Sequence, residues 1–463
     1  MYIFYDTETT GTNIDFDQIL QFAAILVDEQ LQELDRFEVR CQLLPWVVPS
    51  PMALEVTNVA PSLLNDSSLP TFYEMMSRIH SQLNTWSPGV FIGYNSIRFD
   101  EPLLQRAFWQ TLHTPYLTVT GGNSRFDILP LLRAASIIRE NILHFPSKEN
   151  GKKGFKLDEL APLNGFTQDN AHDALSDVEA TIFFAKKIKE RMPDFWQLLT
   201  LRAAKSETAR VLKVGDPVLV VEFFSSDPSL WFGLRIDTNG SNGSYATLLR
   251  LDQNWRDQQH SHSSELTEFL SRTPKPIRQV AMNKAPLVFT LKEAETFFGI
   301  QLDDEARAES AFLKEEIEFC SQILSLANES LEPRPKSEHV EQMLFDGFAS
   351  RHDQQQMDAF HATNSWGERA RMVREFSDLR LKQVAQRLIY VNAPDVLETQ
   401  DRSRIERGIV CRLYDNQEDE KLWRTIPSAR KLTFELGEKA DTLSIGNKYL
   451  KWLEELEMRF PKE

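Results

Sequence analysis

The chain lacks long apolar runs, paired cysteines and an excess of positive charge, and each absence removes a class of protein. No hydrophobic stretch approaches the ~18–20 residues that span a bilayer, and no basic segment followed by an apolar one opens the sequence. Neither a membrane partner nor a secretory leader is therefore expected, and the cytoplasm is the expected compartment. Cys41, Cys320 and Cys411 are the only cysteines in 463 residues and lie far apart, which excludes a disulfide framework and a thiolate zinc site. Lys and Arg number 52 against 68 Asp and Glu, a formal charge of −16. Such a chain does not coat nucleic acid indiscriminately, because phosphate binding draws on clustered cations, so any nucleic-acid site has to be a local groove. One local excess lies between residues 369 and 412, with ten Lys/Arg against six Asp/Glu. From charge alone it reads as a solvated helix face.

What is present is an ordinary globular composition, 41% hydrophobic and 26% charged. At ~100–200 residues per domain, three domains are expected. Residues 2–5, 19–27 and 36–39 read as strands of a meander, and the short run VFIGYNS reads as a further, central strand. Helices are expected over 71–86, 101–112, 126–139 and 173–191, the last with Leu175, Val178, Ile182, Ala185 and Ile188 on one face. Strands mixed with helices make this first region an α/β layer domain. After Met192 and Pro193 the pattern changes to short β-type runs (PVLVVEFF, WFGLRI, YATLLRL) broken by SSDPS and TNGSNGS, a small β-barrel-like domain. A helical region follows Lys292, two prolines within 331–336 mark a linker, and the chain from about Ser350 onward is charged and helical.

The first chemical signal is IFYDTETTG, residues 3–11. In a strand, side chains alternate faces, so Asp6 and Glu8 point the same way. Burying two adjacent carboxylates costs several kcal/mol unless a cation or a proton compensates, and a hard divalent cation takes oxygen ligands. Alone, the pair also reads as solvated edge charge. Asp100, in GYNSIRFDE, follows a predicted strand where loops deliver ligands, yet it also reads as the N-cap of the helix that begins EPLLQRAF. Asp177 sits inside a helix beside core-facing Val178, an expensive place for a carboxylate, and His172 precedes it by five residues near the helix start, with Asp173 between them as a capping residue. These carboxylates and the histidine beside apolar core match two-metal phosphodiester hydrolysis, in which a neutral histidine takes the proton of the attacking water.

The order Asp-x-Glu, Asn-x-x-x-Phe-Asp, His-x-x-x-x-Asp resembles the DEDDh exonuclease superfamily. Within it, DTETTGTNIDFDQILQFAAI, NSRFD, NAHDALSDVEATI, NKAP and QMLFDGF resemble the exonuclease I branch of 3′→5′ single-strand DNA exonucleases. The resemblance implies an α/β protein with a ribonuclease H-like mixed-sheet exonuclease domain over residues 1–192. An SH3-like β domain with a helical extension would span 193–340, and an all-α C-terminal domain 341–463. It implies two Mg2+ ions, with Mn2+ as a substitute, held by Asp6, Glu8 and Asp177, with Asp100 acting through water and His172 as general base. Substrate contacts are implied for Glu8, Thr9 and the Gly11 backbone at the 3′ end, for Tyr116 by base stacking, and for Arg133 and Lys156 at phosphates. The basic stretch 369–412 would line an enclosing channel, and Arg139 would help bind the acidic tail of single-strand DNA-binding protein. A monomer is expected. The competing readings are a 3′→5′ exoribonuclease or proofreading exonuclease, and a non-catalytic single-strand DNA-binding scaffold.

Overall fold

The computed structural model describes residues 1–167, 173–224, 227–237, 243–329, 335–415, 422–438 and 445–462. The N-terminal region is built on a five-stranded mixed sheet of order β3-β2-β1-β4-β5. Its strands are β1 (Tyr2–Thr9), β2 (Ile19–Val27), β3 (Glu33–Arg40), β4 (Val90–Gly93) and β5 (Ser124–Asp127). The first three pair antiparallel, whereas β4 and β5 run parallel to β1 and to each other. The associated helices are α1 (Pro51–Val56), α2 (Phe72–Trp86), α3 (Asp100–Gln110), α4 (Ile128–Ile138), α5 (Leu157–Leu163) and α6 (Ala174–Arg191).

Alternation along β1 divides the molecule. Ile3 and Tyr5 face one side, where they share a core with Phe22, Ala24 and Leu26 of β2, with α2 and α3, and with Ile409, Leu413, Tyr449, Trp452 and Leu453 of the C-terminal helices. Phe4 faces the other side, with Ala23, Ile25 and Val27, with α4 and α6, and with Leu219, Val221 and Phe289 of the central β region. Each flanking region thus completes one face of the same sheet. Tyr449 seals the first contact by donating to the Pro49 carbonyl at 2.5 Å.

The central region is a second five-stranded sheet, antiparallel throughout, of order β10-β6-β7-β8-β9. Its strands are β6 (Pro217–Phe224), β7 (Asp227–Arg235), β8 (Tyr245–Arg250), β9 (Ile277–Ala281) and β10 (Val288–Thr290). The loop between β9 and β10 is fastened to the first sheet by a buried polar chain. Arg125 of β5 donates from Nε to the Asn283 carbonyl at 2.9 Å and from Nη1 to Glu101 at 3.0 Å. Glu101 in turn accepts from Tyr5 Oη at 3.0 Å, from Gln105 at 3.0 Å and from Thr118. No helix of the described residues is long and apolar enough to cross a membrane.

Three sequence expectations change. The expected helix 126–139 is in fact strand β5 through Asp127 and then α4, because the Asp127 carboxylate accepts the Leu129 N–H and caps a helix that starts only at Ile128. Asp100 is the first residue of α3, preceded by Phe99 at the cap position, so it is not the N-cap. The basic stretch 369–412 is largely consumed inside the C-terminal helices. Arg387 and Arg412 both pair with buried Glu341, Arg380 pairs with Asp378, Arg402 with Asp395 and Glu406, and Arg369 lies over the rings of Tyr73, Phe360 and Trp366. Arg369, Arg380, Arg387 and Arg412 are spent on buried or half-buried carboxylates and rings, whereas Arg374, Arg402 and Arg404 stay at the surface in exposed ion pairs. The proline-bearing linker lies mostly outside the described residues.

The shared cores make a stability prediction. Residues 1–192 alone lose Tyr449, Trp452 and Leu453 from the core that also holds Ile3, Tyr5 and Phe22, so this fragment is expected to melt well below the full chain by circular dichroism. Trp452→Ala in the full chain is expected to cost ~3–5 kcal/mol in denaturant titration. A fragment that melts like the full chain would show that the C-terminal helices are dispensable for the sheet.

Candidate active site

Phe4, Asp6 and Glu8 share one face of β1, and α6 lies across that face. Opposite Asp6 in the ladder is Ala23, opposite Glu8 is Gln21. The small Ala23 side chain leaves α6 close to the sheet, and Asp177, in the first turn of α6, enters the same space. One oxygen of each of Asp6, Glu8 and Asp177 lies within 4.8 Å of the others. The ladder shifts register between Glu8 and Thr9, a bulge that ends regular pairing at the site.

Asp100 approaches from the parallel side. Thr7, on the opposite face of β1 from Asp6, donates its hydroxyl to Asp100 Oδ1 at 2.5 Å. The loop that delivers Asp100 is organised by Asp127 at the end of β5, whose carboxylate accepts the Asn95 N–H at 2.8 Å and the Ile97 N–H at 3.3 Å. Asn95 takes a left-handed conformation, φ 61°, to make that turn. Burial pushes the Asp127 carboxyl up to about 6 against these N–H donors.

The electrostatics are those of crowded like charges. Burial, then the charges of Asp100, Asp177 and Glu8, drive the Asp6 carboxyl well above the carboxylate range. Glu8 is pushed up to about 9 by burial and then by Asp177 and Asp100, with Arg40 opposing. Burial raises Asp100 to about 7 even though Thr7 donates to it. A group of oxygen-only ligands that holds protons this firmly fits a hard divalent cation, which supplies the charge that the protein does not.

The remaining expected residues are placed as follows. His172 lies outside the described residues. Thr9 is buried and donates to the Gly11 carbonyl at 2.7 Å. A Cβ on Gly11 would fall 2.5 Å from an Asp17 oxygen, so this glycine makes room for Asp17, which accepts from Thr10 Oγ1 and from the Asn13 N–H, each at 2.8 Å. Tyr116 is half-buried with its ring edge against Phe348. Arg133, on α4, is held between the rings of Phe155 in the loop before α5 and Phe223 of β6, 5.6 and 5.7 Å away, and its buried Nε has no partner among the described residues. Lys156 is exposed and pairs with Glu159 at 3.5 Å, and Arg139 donates to the Arg191 carbonyl at 3.0 Å.

Sequence reasoning passed over Thr7, Asp127, Gln21 and Arg40. A signal for two of them was there: Gln21 is the one polar residue in ILQFAAILV, and Arg36, Glu38 and Arg40 recur at strand spacing.

An acidic trio on a mixed sheet of this topology, covered by a helix that supplies the third carboxylate, defines a metal-dependent exonuclease of ribonuclease H-like fold. Comparison with known proteins agrees. A family model described as Exonuclease matches residues 3–183, and one described as Exonuclease I C-terminal domain matches residues 338–456. Exodeoxyribonuclease I of Escherichia coli (strain K12) is 27% identical over 380 residues, covering 77% of this chain and 78% of that protein. A moderately thermophilic Exonuclease I from Methylocaldum szegediense has a TM-score of 0.83 at 25% identity over 99% of both chains. E. coli Exonuclease I in complex with a dA16 oligonucleotide has a TM-score of 0.82 at 22% identity, over 99% of this chain and 98% of that one. The chain is thus similar to exonuclease I in its N-terminal exonuclease region and in its C-terminal region.

The raised carboxyls set a pH dependence for the metal-free protein. Their folded-state values lie above the unfolded value of ~4, so the folded state holds these protons more tightly. The linked stability is complete below that unfolded value and is lost as pH rises through about 7 for Asp100 and about 9 for Glu8. Thermal melts with chelator are therefore expected to fall on the alkaline side, and the gain on adding a divalent cation to be larger there. Asp6→Asn is expected to raise the metal-free melting temperature and to abolish that gain. A cation-induced shift that is equal across this range, or intact in Asp6→Asn, would contradict the assignment.

Proposed function

We propose that this protein removes 5′-mononucleotides from the 3′ end of single-stranded DNA, in repair and recombination, with Mg2+ as its cation. The observation that carries this reading is the buried trio of Asp6, Glu8 and Asp177 on a sheet face closed by α6. Relatives of the chain support the substrate: E. coli Exonuclease I has been solved with oligonucleotides, and in a zinc-bound complex with single-stranded DNA. Asp6, Glu8 and Asp177 would hold two Mg2+ ions, for which Mn2+ can substitute. When bound, the cations stabilise the attacking and leaving oxygens of an in-line displacement.

The chain's own groups do the rest. Asp100, oriented by the Thr7 hydroxyl, would place water at the edge of the site. His172 would act as general base, taking the proton of the attacking water. Thr9, in the bulged end of β1, would meet the terminal nucleotide, with Tyr116 stacking on a base and Arg133 and Lys156 at phosphates. A solved structure of SSB/Exonuclease I in complex with the inhibitor CFAM is also similar to this chain. A site for the acidic tail of single-strand DNA-binding protein, including Arg139, is proposed here on that basis. The protein would act as a cytoplasmic monomer.

The test is a 5′-labelled single strand with purified protein and Mg2+, with a matched RNA strand in parallel. A descending ladder on DNA, abolished by chelator, is expected. Equal or faster digestion of RNA would favour an exoribonuclease, and no digestion of either strand would favour a non-catalytic scaffold. Asp6→Ala is expected to remove metal binding and nearly all hydrolysis with the fold intact. His172→Ala is expected to lower the rate by ~10²–10⁴ with DNA binding retained, and a variant that lost binding but kept turnover would contradict the base role.

A further inference from the structure

The trio poses a mechanical problem. Asp177 is carried on α6 into a face already occupied by Asp6 and Glu8, with one oxygen of each within 4.8 Å of the others, so the three repel one another whenever they are ionised without a cation. The first turn of α6 therefore needs an anchor that does not depend on the metal.

Such an anchor sits four residues before Asp177, on the same side of the helix. The Asp173 carboxylate accepts from Arg40 Nη2 at 2.7 Å, from Gln21 Nε2 at 3.0 Å and from the Leu175 N–H at 3.2 Å. Gln21 Oε1 in turn accepts from the Ala174 N–H at 3.5 Å, so one buried amide engages the helix start through both of its ends. Gln21 Nε2 also donates to Glu38 at 2.9 Å, and Arg40 Nε lies 3.7 Å from the same carboxylate. The strand register explains why these groups converge. Glu8 is paired with Gln21, and Gln21 with Arg40, so a single row crosses β1, β2 and β3 on the face that α6 covers. The row begins at a metal-site carboxylate and ends at a cation ~10 Å away, two strand spacings.

We propose that Arg40 and Gln21 are positioning residues for the reaction, holding Asp173 and with it the first turn of α6 so that Asp177 meets Asp6 and Glu8. The proposal rests on the reading of the trio as a metal site. Arg40 touches neither substrate nor metal. It acts through Asp173, and the hydrogen bonds of Gln21 fix the helix start in rotation as well as in height. A second ion pair along the same helix, Arg36 to Glu179 at 3.2 Å, lies two residues beyond Asp177 and is exposed on both sides. It docks α6 on the sheet without engaging the helix start, which makes it a matched control.

The experiment measures Mn2+ binding by calorimetry without DNA, alongside kcat and KM on a single-stranded oligonucleotide, for wild type, Arg40→Met, Arg40→Lys and Arg36→Met. Arg40→Met is expected to weaken Mn2+ binding by ~10–100-fold, the usual effect of losing a partner behind the metal ligands. Its kcat should fall and its KM for the oligonucleotide stay unchanged. Arg40→Lys should recover part of both losses, and Arg36→Met should bind Mn2+ as wild type does. Gln21→Met, which keeps the Arg40 charge, carries the same expectation as Arg40→Met and serves if that variant does not fold. Wild-type affinity and kcat in Arg40→Met, or an equal loss in Arg36→Met, would overturn the positioning role alone. A wild-type protein that binds no Mn2+ would overturn the metal site, and the positioning role with it.

Discussion

Three carboxylates that repel one another are held on one face of a strand, and much of the surrounding architecture follows from that constraint. Neither Asp6 nor Glu8 can leave the face, because the alternation that buries Phe4 behind them also sets their direction. Asp177 cannot leave because α6 is packed through Val178, Ile182, Ala185 and Ile188. The repulsion is thus opposed by apolar burial, which is non-directional and does not weaken when protons or cations come and go. Directional restraint comes from polar groups at the margins: Thr7 on Asp100, Asp127 on the loop before it, and Asp173 on the helix start. The site is a charge defect tolerated by a rigid frame, and only a proton or a cation can relieve it.

The same sheet is also the joint of the molecule. One face is completed by the C-terminal helices and the other by the central β region, so both flanking regions bear on the strand that carries the acids. The buried chain from Tyr5 through Glu101 and Arg125 to the Asn283 carbonyl ties the central region to residues adjacent in sequence to Asp6 and Asp100. Both flanking regions and the acidic trio hang on a common frame, with Tyr5 facing one way and Asp6 the other.

Much of this was legible in the sequence where periodicity is long or chemistry is unusual. β1, β2 and α6 each carry a sustained pattern, and the clustered carboxylates declared themselves by standing where charge is expensive. Two of the short strands were not legible. β5 is four residues and β10 three, too few for alternation to show, and SRFD reads as the start of the helix that follows because Asp127 both ends the strand and caps that helix. Asp100 was open to reading as a cap because caps and ligands draw on the same residue type at the same place. The arginines of 369–412 could not be told from a binding surface, since their partners, such as Glu341, come from distant sequence.

By itself, then, the sequence determined the class of site and the faces of the strands, because backbone alternation and the helical repeat are local and a buried carboxylate needs a reason wherever it occurs. Only the tertiary structure decided which charges are free to act. Arg380 is spent on Asp378, and Arg387 and Arg412 on Glu341. Arg40, an unremarked charge at the end of a half-exposed strand, is instead aimed at the helix that completes the site. Electrostatic partnership depends on distance through space, and residues 8, 21, 40 and 173 become neighbours only when three strands have paired and a helix has settled across them.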